Sequence, residues 1–106
     1  MKRPDILDTA KKCVCGDREQ DYGSPEDNFT KIARLWSAYH GQAFTAVDVA
    51  VFLSLVKIGR ISSGHGKADN WVDLAGYAAC GGELESKQTP EQNDADDFNE
   101  NELLLR

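Results

Sequence analysis

Histidine occurs twice, and cysteine and proline three times each, in 106 residues. Each scarcity closes off a class of protein. Cys13, Cys15 and Cys80 make no C-x-x-C pair and no even framework. Neither a disulfide scaffold nor a structural zinc site is expected, and the thiols are expected to stay reduced in a cytoplasm. No apolar run reaches the roughly 18 residues that a membrane helix needs. The opening MKRPDILDTAKKC carries basic residues but no apolar core, so no secretory signal and no membrane partner are expected. β-type alternation of useful length is also missing, which leaves an all-α fold.

A basic excess is absent too. The net charge is −6, and it is unevenly spread. Residues 1–85 hold ten Lys/Arg against twelve Asp/Glu, whereas residues 86–106 hold two against six. A nearly balanced body with an acidic end argues against general nucleic-acid binding by phosphate neutralisation. The expected organisation is a helical domain over 1–85 and a flexible acidic tail over 86–106, in which Phe98 and Leu103 to Leu105 form a docking segment.

The stretch that is present in strength is Thr45 to Ser63. Between Ala46 and Ile61 the main polar side chains are Asp48, Ser54, Lys57 and Arg60. At 100° per residue, Ser54, Lys57 and Arg60 share one narrow stripe. A helix apolar nearly all round is normally buried on most sides, so this one is expected at the centre of a compact four-helix bundle.

The remaining helices follow from caps and spacing. Pro4 to about Gln20 reads as a first helix with a stripe of Ile6, Leu7, Ala10, Cys13 and Val14. Ser24-Pro25-Glu26-Asp27 reads as an N-cap, and Pro25 to about His40 as a second helix ended by Gly41. Its buried face is Phe29, Ile32, Ala33, Trp36 and Tyr39 or His40. Thr45 caps the third helix, with Asp48 at the capping-box position. A flexible connection, Ser62 to Lys67, leads to a fourth helix over about 69–85. The small residues of that helix permit close approach by the third helix or by a symmetry mate, so a homo-oligomer is expected.

Five carboxylates invite a metal: Glu26, Asp27, Asp48, Asp69 and Asp73. Helix starts account for the first four without any ligand. Asp73 is different, because it shares one face with Asp69 and Tyr77 at i, i+4 spacing. Facing Lys57 or Arg60, it makes a structural ion pair. In the functional alternative, Lys57 and Arg60 form a phosphate pocket and Asp69 and Asp73 hold Mg²⁺. Trp36 and Trp71 read as core, Tyr22 and Asn28 as closing a turn, and His65 as a solvated loop residue. No nucleophile–base pair stands out around Ser54, and Gly64-His65-Gly66 lacks the spacing of a phosphate loop.

The motifs Arg18-Glu19-Gln20-Asp21-Tyr22-Gly23-Ser24-Pro25-Glu26-Asp27-Asn28-Phe29, Ile32 to Tyr39, Asp48-Val49-Ala50, Leu55 to Arg60 and Asp69 to Tyr77 together resemble a family of small phage and prophage proteins. The resemblance covers about residues 14–85 and implies an origin in a host-cell cytoplasm, but no assigned reaction. Asp69-Asn70-x-x-Asp73-x-x-x-Tyr77 is also similar to the second acidic helix of MazG-like nucleotide pyrophosphohydrolases. This resemblance implies an oligomeric, Mg²⁺-dependent enzyme that hydrolyses nucleoside triphosphates. Lys57 and Arg60 would hold phosphate, Asp69 and Asp73 the metal, and Tyr22, Asn28 or Tyr77 the base or sugar. The chain departs from that pattern in having no E-x-x-E on its second helix and in placing Asp69 and Asp73 at i, i+4 on the fourth, where the pattern has E-x-x-D. The alternatives are a non-enzymatic phage accessory or anti-defence protein, which binds a host protein or sequesters a nucleotide signal, and a purely structural bundle.

Overall fold

A computed structural model describes residues 1–17, 20 and 23–88. The expected tail beyond Gln88 and the candidate Tyr22 lie outside the described residues. The described chain forms α1 (Arg3–Lys12), a π-helical turn (Cys13–Asp17), α2 (Pro25–His40), α3 (Ala46–Ser62) and α4 (Ala68–Gln88). No strand occurs among the described residues. The first helix is therefore shorter than its apolar pattern predicts, because its continuation widens at Cys13 into the π-turn.

The caps act as their side chains dictate. Ser24 Oγ accepts from the Asp27 amide at 3.2 Å. At α3 the box is reciprocal: Thr45 Oγ1 accepts from the Asp48 amide at 3.1 Å, and the Asp48 carboxylate accepts from the Thr45 amide at 2.9 Å. Gly41 closes α2, with its amide donating to the Ser37 carbonyl. Asp69 is not the cap of α4, which starts one residue earlier at Ala68.

Packing centres on Phe29, Ala33, Val49, Ala50, Cys80 and Leu84. The α3–α4 pair is the most extensive contact; α1 lies on α4, and α2 mainly on α3. Two of the small residues of α4 sit at close contacts within the chain. A Cβ at Gly81 would meet Ala50 of α3 at 3.2 Å, and one at Gly76 would meet Val14 Cγ1 at 2.9 Å. At Gly76 a Cβ would force Val14 to shift, and at Gly81 it would need Ala50 to give by a few tenths of an ångström.

Three burial expectations are corrected. α3 is not enclosed on most sides. It buries Val49 and Ala50, but Val51, Phe52, Leu55, Val56 and Ile58 remain exposed on its outer side. Four helices supply too little surface to surround one of their own number. Trp71 is exposed rather than core, since it stands on the outer side of the first turns of α4. Tyr39 and His40 are exposed as well, so the buried face of α2 ends at Trp36.

Candidate functional site

The polar stripe of α3 meets the start of α4 at one end of the helical pair. Lys57 sits on the inner side of α3, its side chain 13% exposed, and its ammonium lies 2.8 Å from the Asp73 carboxylate. The burial of Lys57 follows from its register, one turn beyond the inward-facing Leu53. Asp73 is the more open partner at 40%.

Around this pair lies a cleft of about 500 Å³. Lys57 and Arg60 of α3, His65 and Lys67 of the connection, and Asp69, Asn70 and Asp73 of α4 line it. Four of the sequence-derived candidates therefore share one cavity: Lys57, Arg60, Asp69 and Asp73. Neither Asn28 nor Tyr77 belongs to its described lining. Asn28 is in the first turn of α2, where its amide donates to the Ser24 carbonyl. Tyr77 lines a separate hollow of about 30 Å³ that includes Val14, Phe29 and Asp73. Its ring packs against Phe29 at a centroid distance of 6.4 Å.

The sequence reading missed Lys67, Asn70 and the place of His65 in the cleft. The connection that carries them is pinned, not loose. The Gly64 amide donates to the Ile61 carbonyl and the His65 amide to the Arg60 carbonyl, 3.0 Å away. The Asn70 side-chain amide donates to the His65 carbonyl, and Asn70 is the one buried polar residue among those described. A buried amide side chain needs partners, and here the backbone of the loop supplies one. The available signal was Asn70 one position after Asp69, on the inward side of an early turn.

The electrostatics of the cleft are mixed. Arg60, Lys67 and Lys57 contribute cations, and His65 adds an imidazole that can hydrogen-bond. One of the two carboxylates, Asp73, is already engaged by Lys57. Among the described residues no group of three or more His, Cys, Asp or Glu is placed to hold a metal ion. A Mg²⁺ ion is commonly held by only one or two carboxylates together with substrate phosphates. Asp69 and Asp73 both line the cleft, so a Mg²⁺ ion there would depend on this pair and on oxygens of its ligand. Fork-shaped Arg60 and compact Lys67 suit phosphate oxygens.

The fold and the cleft define a small all-α protein with a polar cleft between two packed helices. Residues 5–85 match the model of the family described as a domain of unknown function, DUF6378, and the chain belongs to that family. It is similar to the Gene 55 protein of Mycobacterium phage L5, with 47% identity over 87 residues, which are 81% of this chain and 54% of that protein. It is also similar to the Gene 55 protein of Mycobacterium phage D29, with 39% identity over 75 residues, which are 71% and 50% of the two chains. The chain thus spans about half the length of the curated relatives it matches. No solved structure matches it. These relatives mark it as a phage protein. No described helix is long and apolar enough to cross a membrane.

Proposed function

We propose that this phage protein binds a nucleotide through its phosphates in the cleft between α3 and α4. The observation that carries the reading is the convergence of Lys57, Arg60, His65 and Lys67 on one cavity beside Asp69 and Asp73. Arg60 and Lys67 take the phosphate oxygens, and His65 adds a hydrogen bond. Lys57 stays with Asp73. Mg²⁺, arriving with the phosphates, would neutralise their charge. Hydrolysis to the monophosphate, as in MazG-like enzymes, is the catalytic form of this reading.

Sequestration of a nucleotide signal without turnover is the second form. It is favoured by the engagement of Asp73 with Lys57, which leaves Asp69 as the cleft's one carboxylate without a cationic partner in the described structure. Thermal shift with nucleoside mono-, di- and triphosphates, with and without Mg²⁺, tests binding, because a ligand of the native state raises its melting point. A rise that is abolished in Arg60→Ala and Lys67→Ala supports the cleft. Release of phosphate or pyrophosphate from the same mixtures separates the catalytic form from the sequestering one. No shift with any nucleotide refutes the reading.

A further inference from the structure

Taking the cleft as the nucleotide site, as proposed above, we infer that Asn70 is its positioning residue. Asn70 holds the connection 63–67 in the shape that brings His65 and Lys67 to the cleft wall, and so sets affinity through those two residues. The other charged groups of the described lining stand on α3 and α4, whose own hydrogen bonds fix them. His65 and Lys67 stand between Gly64, Gly66 and the start of α4, on backbone with little stiffness of its own.

Contacts at three points select one shape for this connection. At its start, Gly64 takes a left-handed backbone with φ of 87°. The Gly64 and His65 amides then donate back to the Ile61 and Arg60 carbonyls, at 3.2 and 3.0 Å. In its middle, Gly66 lies beside Ile61 and Trp71: a Cβ there would meet Ile61 Cγ2 at 3.8 Å and Trp71 Nε1 at 3.9 Å. At its end, Asn70 bonds twice. Its side-chain amide donates to the His65 carbonyl, and its backbone amide donates to the Lys67 carbonyl at 3.0 Å. Asn70 thus grips both residues that the connection brings to the cleft, from a position only 8% exposed. The bond to His65 ties the connection to α4, whereas the His65 amide ties it back to α3. A ligand that meets a preformed loop is spared the entropy of ordering it. Removing the Asn70 side chain moves that ordering cost into the binding step.

Calorimetric titration of the full chain with nucleoside mono-, di- and triphosphates, in the presence of Mg²⁺, tests this. Wild type, Asn70→Ala, Lys67→Ala and the double variant are compared. Asn70→Ala should weaken binding about tenfold, the size of one lost buried hydrogen bond. Asn70→Ser keeps a shorter donor and should fall between, which preserves the test if Asn70→Ala folds poorly. Asn70→Ala and Lys67→Ala should be less than additive, because Asn70 acts through a residue that the double variant has already lost. A merely structural Asn70 would give additive losses. Trypsin should cut after Lys67 faster in Asn70→Ala than in wild type, relative to its cuts after Lys31 and Arg34 of α2. Wild-type affinity in both Asn70 variants overturns the inference and leaves the cleft reading standing. Additive losses overturn it too, as does unchanged relative cleavage after Lys67. A wild-type chain that binds no nucleotide overturns the cleft reading and this inference together.

Discussion

The Lys57 ammonium and the Asp73 carboxylate meet at 2.8 Å across the α3–α4 seam, with the lysine shielded and the aspartate open. The asymmetry matters. Removing the aspartate strands a largely buried cation, whereas removing the lysine leaves a carboxylate that water can still reach. Asp73→Ala is expected to cost about 1–2 kcal/mol and Lys57→Ala less electrostatically, after allowing for screening at the open side. Thermal unfolding of both single variants and of the double variant reads the difference. A double variant no better than the sum of the singles denies the pair any coupling.

Close approach at Gly76 gives a second expectation. Gly76→Ala places a methyl group 2.9 Å from Val14 Cγ1, and overpacking of this kind costs about 1–3 kcal/mol. Gly82→Ala meets open space and should instead gain some of the roughly 1 kcal/mol by which alanine exceeds glycine in a helix. Opposite signs in the two melting curves are the expected outcome. Val14→Ala should recover part of the Gly76→Ala loss.

Phe29 is 1% exposed and contacts both the core and the Tyr77 ring. Phe29→Ala should cost about 3–5 kcal/mol through lost burial and a residual cavity. For a domain of ordinary stability, about 5–15 kcal/mol, that is a large share of the total. Denaturant titration followed by the tryptophan signal measures it, and a loss below 1 kcal/mol would place the core elsewhere.

At the far end of α4, Lys87 bonds Glu26 of α2 at 2.9 Å, 61 residues away in sequence. The hydrogen bond to Glu26 is the main cause that raises the Lys87 pKa above its ordinary 10.5. A raised lysine pKa means that the folded state prefers the ammonium. Its contribution is full below the ordinary value and fades as pH rises through the folded one. Glu26→Gln should therefore lower the melting temperature slightly near pH 8, with the gap closing only as pH rises past the ordinary lysine value and through the raised folded-state one. A gap that does not close over that range would exclude the ion pair as its source.

Much of the architecture was legible because its signals are local. Ser24 and Thr45 announce α2 and α3 through hydrogen bonds spanning three residues, and the spacing of Phe29, Ile32, Ala33 and Trp36 marks an inward face. The union of Lys57 with Asp73 was also within reach, as one of two cations on a single polar stripe opposite the one mid-helix carboxylate. The contribution of Lys67 and His65 to the cleft was not. It depends on a connection fixed by Asn70 and by backbone bonds to Arg60 and Ile61, which composition makes look like a loose glycine-rich linker.

The sequence by itself determined that the chain is helical, where α2 and α3 begin and end, and that α3 carries a single cationic stripe. Periodicity and capping are properties of neighbours within a few residues. Only the tertiary structure decided which side of the apolar α3 would stay bare, and that the glycines of α4 would admit Val14 and Ala50. An all-round apolar helix has no pattern of its own to choose its covered side; that choice belongs to the helices that pack against it.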